Sequence, residues 1–423
     1  MTFRARSDRR LIRSTHRSSR FVLAELVAPP ARDTQGRPPV NLAFVLDRSG
    51  SMSGEKLKLA MQAVEMSIAL LHDTDRFAVV VYDEQIDVVV ANTRATAEAR
   101  RIAVDRLHEI EARGSTNLSE GWLRGCGQIA DALAVEGVNR CLLLTDGLAN
   151  AGITDRDELS RHAGELRARG ISTTTFGVGN DFDEVLLQAM ARTGGGHFYY
   201  IANANSIADL ISSEVGETLE VVARDVVVEV TSPEGVRIEA LSPYPTRERR
   251  GATEIVVGDL TAEQEVSIVL RLGFGFGEIG DSTGAVVRVL DRDDRLDFRA
   301  VKLAWEYASN DANDAQPRDL DVDRAVARTF AARARQEAVA RNRAGDYVGA
   351  QQVLVGTANR VRAYAGKDPE LGAVISDLER DDPQFSAPMA PAMLKMAFAA
   401  SAYQLNSRAV DGKARKQPPR DSV

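Results

Sequence analysis

The sequence predicts an α/β protein: a doubly wound, mostly parallel sheet, followed by a β-sandwich domain and a C-terminal helical region. Three observations predict it. Between 41 and 220, short and fully apolar runs alternate with stretches of helical periodicity, the pattern of parallel strands covered by helices on both faces. Between 221 and 307, β-rich runs recur roughly every ten residues, separated by Pro, Gly and Asp turns. Beyond a polar break, apolar residues return at helical spacing, beginning with Val322, Val326 and Phe330.

Taken in order, residues 1–40 open with seven arginines against one aspartate in the first twenty, which reads as a flexible basic arm. The run Phe21–Val27 reads as a strand joining the sandwich, which makes the α/β region an insertion between sandwich strands. APPARDTQGRPP marks the boundary that follows. The α/β domain occupies 41–220. Its strands are expected at Asn41–Leu46, Phe77–Tyr82, Asp87–Val90, Arg140–Thr145, Ser172–Val178 and His197–Ile201. Helices fit Lys56–Leu71, Thr96–Glu111, Leu118–Ala134, Asp155–Ala168, Asp183–Ala191 and Ser206–Leu219. The sandwich occupies 221–307. ASNDANDAQP (308–317) reads as a polar linker, 318–406 as helical hairpins broken at Gly345-Asp346, and 407–423 as a disordered tail.

Composition narrows the function classes. Hydrophobic residues make up 44% and charged residues 27% of the 423, so each region can bury a core. A net charge of −8 argues against a nucleic-acid partner, because phosphate binding needs clustered positive charge. Cys126 and Cys141 cannot build a disulfide framework and read as small apolar core residues. No apolar run approaches the roughly 20 residues of a membrane span. The basic N-terminus lacks an apolar region like that of a secretory signal, so a cytoplasmic protein is expected.

The informative segment is NLAFVLDRSGSMSGEKL. An apolar strand ends in Asp47, with Ser49 and Ser51 following in D-x-S-x-S spacing before a helix begins. Ligands of open α/β sheets bind at the carboxyl ends of the strands, where these residues fall. One carboxylate and two hydroxyls are hard oxygen donors suited to Mg²⁺ or Ca²⁺. Thr116 in GSTNLSEG and Asp146 in LLLTDG offer two more at places a parallel sheet can bring near.

This ordered set resembles the metal-ion-dependent adhesion site (MIDAS) of the von Willebrand factor type A (VWA) domain, over residues 40–220. The order of regions is similar to that of bacterial VWA proteins grouped under calcium-activated chloride channel-like names. The resemblance implies a Rossmann-like fold and a metal site made of Asp47, Ser49, Ser51, Thr116 and Asp146, all five matching. It implies Mg²⁺, with Ca²⁺ or Mn²⁺ as alternatives, held directly by the hydroxyls and mostly through water by the two aspartates. A protein partner presenting Asp or Glu would complete the octahedron. It also implies that the last helix of the domain, Ser206–Leu219, moves with metal coordination. Because some VWA proteins work beside MoxR-type ATPases or in chelatase complexes, an accessory subunit with an AAA+ ATPase partner is the alternative function.

Competing motifs are weaker. A dehalogenase-type phosphatase needs D-x-D, and this chain has Ser49; no G-x-x-x-x-G-K-[ST] is present. Thr193-Gly194-Gly195-Gly196-His197 reads as a tight turn into a strand, with His197 structural or exposed. Asp291-Arg292-Asp293-Asp294 reads as a hairpin turn, and Trp122 and Trp305 as core. No nucleophile–base pair is recognisable, so a non-enzymatic protein-binding module is expected.

Overall fold

The computed structural model describes residues 1–31 and 37–416. The chain forms two compact units, Met1–Pro30 with Ala223–Val423, and Ala31–Val222.

In the first unit the chain opens with strands β1 (Thr2–Ser7), β2 (Leu11–Arg13) and β3 (Ser18–Val27). The first twenty residues are therefore not a solvated arm. Arginine alternates there with residues of the opposite face, and the guanidiniums are taken up locally: Arg20 is buried and donates to the Leu11 carbonyl and to Asn313 Oδ1. The boundary loop expected at 28–39 falls partly on residues 32–36, outside the described residues.

The second unit holds a six-stranded sheet of β4 (Val40–Asp47), β5 (Arg76–Tyr82), β6 (Ile86–Arg94), β7 (Val138–Thr145), β8 (Ser172–Val178) and β9 (Gly195–Ile201), in the order β6-β5-β4-β7-β8-β9. All pairs run parallel except β5–β6. The strands VNLAFVLD and VNRCLLLT are buried throughout, as central parallel strands require. The edge strand β6 is longer than its apolar run predicts, because its half-exposed residues need one covered face only.

Helices α1 (Glu55–Ala69), α2 (Ala97–Leu107), α3 (Leu118–Ala130), α4 (Arg156–Ala168), α5 (Glu184–Thr193) and α6 (Ile207–Leu219) connect the strands. On α1, Leu57, Ala60, Val64 and Ile68 recur at three- and four-residue spacing and face the core beside Ile207, Ile211 and Val215 of α6. Side-chain caps define the starts of α3, α4 and α5: Asn117 accepts from the Glu120 N–H, Asp155 from Glu158, and Asp183 from Val185 and Leu186. Gly196 explains the glycine run, since a Cβ there would lie 2.2 Å from the Thr173 carbonyl oxygen. Cys126, Cys141 and Trp122 are buried.

The first unit resumes with β10 (Val221–Thr231), β11 (Arg237–Ala240), β12 (Thr246–Arg249), β13 (Ala252–Thr261), β14 (Glu265–Phe274), β15 (Ser282–Leu290) and β16 (Val301–Ala308). They build a four-stranded sheet, β1-β3-β14-β11, and a six-stranded sheet, β12-β13-β10-β15-β16-β2. Phe274 of the first sheet packs tilted against Trp305 of the second, with ring centroids 5.0 Å apart. The Asp291 carboxylate accepts from the N–H groups of Asp293, Arg295 and Leu296, a turn held by its own side chain.

The segment expected as a polar linker is helix α7 (Asn310–Ala315), capped by Ser309 and anchored by buried Asn313. Helices α8 (Leu320–Arg343), α9 (Tyr347–Ala365), α10 (Pro369–Asp381) and α11 (Pro391–Leu405) follow. Val322, Ala325 and Val326 of α8 pack on Leu23 and Val269, so the helices share a core with the four-stranded sheet. Residues 407–416, expected as the start of a disordered tail, are tied to β14: Ser407 Oγ exchanges hydrogen bonds with Ser267, and the Glu265 N–H donates to the Arg415 carbonyl. Residues 417–423 lie outside the described residues. Among the described residues no helix is long and apolar enough to cross a membrane.

Candidate metal centre

Three loops meet at the carboxyl ends of β4 and β7. Asp47, the last residue of β4, is fully buried; its Oδ1 accepts from the Ser49 N–H (2.8 Å) and its Oδ2 from Thr145 Oγ1 (2.7 Å). Burial pushes the Asp47 carboxyl up; Asp146 adds to the rise, while the bonds from Ser49 and Thr145 oppose it. Ser49 Oγ lies 3.1 Å from Ser51 Oγ, which donates to Asp146 Oδ1 at 2.6 Å. Asp146 directly follows β7 and is itself buried.

Thr116 enters from the loop before α3. Its Oγ1 lies 3.2 Å from where a Cβ on residue 147 would stand, so glycine at 147 lets the threonine approach the backbone next to Asp146. Hydrogen bonds thus run from Asp47 to Ser49, on to Ser51 and then to Asp146, with Thr145 on the other oxygen of Asp47 and Thr116 beside Gly147. The donors are hydroxyls and carboxylates only. They already take in a cation: Lys56 Nζ lies 2.5 Å from Asp146 Oδ2 and 3.2 Å from the Ser51 carbonyl oxygen. By donor chemistry and by sign of charge, the residues fit a hard divalent ion.

The side chains that hold these loops together escape the motif reading. Arg48 Nε and Arg113 Nε both donate to Asp83 Oδ2, at 3.0 and 2.8 Å, and both guanidiniums also reach Asp87. The Arg113 N–H donates to the Arg48 carbonyl, Gly50 N–H to the Gly114 carbonyl, and Asn117 N–H to the Asp83 carbonyl. The only signal in the sequence is an aspartate just past the apolar strand FAVVVY, parallel to β4.

Asp83 supplies a pH prediction. Burial alone would raise its carboxyl, but Arg113, the Gln85 N–H and Arg48 outweigh it and hold it below the usual range. A carboxylate depressed on folding adds stability that is whole above its unfolded value of about 3.9 and is lost as pH falls through the folded value. The melting-temperature gap between wild type and Asp83→Asn is expected to stay constant down to about pH 5 and to close below about pH 4. A gap that persists unchanged in stronger acid would show that this ion pair does not set it.

Among the described residues, one group of His, Cys, Asp and Glu side chains converges elsewhere: His197, Glu214 and Glu217. Glu214 Oε1 accepts from Arg140 Nη1 and Thr174 Oγ1, both at 2.8 Å. Glu214 Oε2 accepts from Tyr199 OH at 2.7 Å and lies 2.9 Å from His197 Nδ1. With its oxygens met by donors and Arg140 supplying the positive charge, this is an ion-pair network between the sheet and α6 rather than a cation site.

Residues 41–213 match the von Willebrand factor type A domain. Over 287 residues the chain is 29% identical to the uncharacterized protein YfbK of Escherichia coli, covering 65% of this chain and 49% of YfbK. Over 262 residues it is 30% identical to the uncharacterized protein sll0103 of Synechocystis, covering 58% and 60%. The chain therefore spans about half to three fifths of these relatives. In fold it is similar to the von Willebrand factor type A protein from Catenulispora acidiphila, with a TM-score of 0.71 at 18% identity over 98% of this chain and 97% of that one.

Proposed function

We propose that the von Willebrand factor type A domain at residues 41–213 of this chain is a metal-dependent protein-binding module, not a catalyst, and that its ligand is an Asp or Glu side chain of a partner protein. One observation carries the reading: Ser49, Ser51 and Asp146 stand in a continuous oxygen run beside buried Asp47, at the ends of two parallel strands. Ser49, Ser51 and Thr116 would hold Mg²⁺, or Mn²⁺ or Ca²⁺ in its place, through hydroxyls, with Asp47 and Asp146 behind them. The bound ion would supply a Lewis-acidic position for the partner's carboxylate. Hydroxyls contribute no formal charge, so a site built mainly from them keeps the ion electrophilic toward an incoming anion. Thr145 and the Ser49 N–H keep the Asp47 carboxylate oriented, and the Arg48–Asp83–Arg113 network fixes the loops on either side.

Ser49→Ala removes one hydroxyl without touching the strand. Titration of the EDTA-stripped chain with Mn²⁺ is expected to give an affinity weakened about 100-fold in this variant, the most that losing an outer-shell group of a metal site costs and a floor for a direct ligand. Partner capture is expected to need Mg²⁺ in the wild type and to fail in Ser49→Ala. Capture that survives both EDTA and Asp47→Ala would overturn the reading.

A further inference from the structure

Two aspartates are buried in this site, and the described structure gives them one cation. Asp47 is satisfied by neutral donors, the Ser49 N–H and the Thr145 hydroxyl. Asp146 takes Ser51 Oγ on one oxygen and the Lys56 ammonium on the other. Buried carboxylates need such a partner, because desolvation penalises the charged form. Lys56 is also placed against local preference. It is the second residue of α1, where the positive end of the helix dipole disfavours a cation. Its ammonium turns instead to the Ser51 carbonyl and Asp146, close to Gly179 at the end of β8. The side chain is one-third exposed while the Asp146 carboxylate is fully buried, so the lysine has a path to solvent that the aspartate lacks.

We propose that Lys56 is the resident counter-cation of this site: its ammonium holds the place of the divalent ion, keeps the loops assembled without metal, and must leave Asp146 for metal to bind. The proposal rests on the metal-site reading above and goes beyond it by naming what metal displaces. Two consequences separate this role from one in which Lys56 merely orients Asp146 for the metal. A competing cation weakens metal binding, so its removal tightens it; an orienting residue does the opposite. A competing cation also stabilises the chain without metal, so its removal makes the fold lean more heavily on metal.

The test uses the full chain stripped with EDTA and titrated with Mn²⁺ under paramagnetic resonance, as wild type, Lys56→Met and Lys56→Arg. Lys56→Met is expected to bind Mn²⁺ about tenfold tighter, the scale on which one opposite charge biases a neighbouring ionised group. Lys56→Arg, which keeps the charge, is expected to stay near wild type. In EDTA, Lys56→Met should melt lower than wild type, and saturating Mn²⁺ should raise its melting temperature by more. Should Lys56→Met fail to fold in EDTA, Lys56→Gln provides the same measurement. If wild type binds Mn²⁺ and Lys56→Met binds it equally or more weakly, the counter-cation role is wrong and the metal site stands. If none of these chains binds Mn²⁺, the metal-site reading falls and takes this proposal with it.

Discussion

Glu214→Ala is expected to destabilise the Ala31–Val222 unit by about 3–5 kcal/mol, the cost of removing one partner of a buried ion pair. In a unit of this size that corresponds to a melting-temperature drop of roughly 10 °C. Glu214 on α6 is fully buried and Arg140 on β7 nearly so. Removing the carboxylate takes the Glu214 charge from a guanidinium that also donates to the hydroxyls of Ser172 and Thr218, and it takes an acceptor from Thr174 and Tyr199. The pair itself need not be net stabilising. Arg140→Met with Glu214→Leu replaces both charges by apolar groups and is expected to recover most of the loss. Calorimetry of the single and double variants checks both halves. A single-variant loss under about 1 kcal/mol would mean that Arg140 finds enough compensation elsewhere. Because Glu214 sits on the helix that the sequence resemblance associates with metal-linked movement, a milder Glu214→Gln would show whether this network also restrains α6.

How much of this was legible beforehand depended on whether the signal was local. The strands β4 and β7 announce themselves because central parallel strands are apolar on both faces, and D-x-S-x-S sits at the end of the first. Asp47, Ser49 and Ser51 are legible as a spaced motif at a strand end, and the family resemblance adds Thr116 and Asp146 to the set; the structure brings all five to one end of the sheet. Lys56 is not legible in this way. A lysine in the first turn of an amphipathic helix looks like any solvated charge until Asp146, ninety residues away, is folded against it. Asp83 with Arg48 and Arg113 is hidden in the same way, as partners 30 and 35 positions apart. The misread segments share a different cause. The arginines of β1–β3 raise the charge of a true strand region, and their carboxylate and carbonyl partners come from distant segments: Arg6 meets Asp319 and Asp321, and Arg20 meets Asn313. Composition scores such residues as exposed. Long-range pairing buries them or closes them onto the fold.

The helix α3 gives the sharpest test of how packing at a distance shapes the site, because three glycines in one helix should give opposite results. Each glycine in LSEGWLRGCGQIA costs about 1 kcal/mol relative to alanine by propensity alone. A Cβ on residue 121 would lie 2.4 Å from Tyr82 Cγ, and one on residue 125 would lie 2.2 Å from Val45 Cγ2. Tyr82 and Val45 are both fully buried in the sheet, so neither can move aside cheaply. A Cβ on residue 127 would meet nothing within 4 Å. Gly127→Ala is therefore expected to stabilise the unit by about 0.5–1 kcal/mol. Gly121→Ala and Gly125→Ala are expected to destabilise it by about 1–3 kcal/mol, as overpacked cores do. The glycines that press α3 onto β4 and β5 also set where its first turn stands, and that turn follows Thr116 and the capping Asn117. Gly121→Ala, four residues from the cap, is thus expected to weaken Mn²⁺ binding as well, while Gly127→Ala leaves it unchanged. Melting curves for the three variants, with Mn²⁺ titrations of the first and third, decide the matter. A stabilising change in all three would show that propensity, not the close approach of α3 to the sheet, governs this helix.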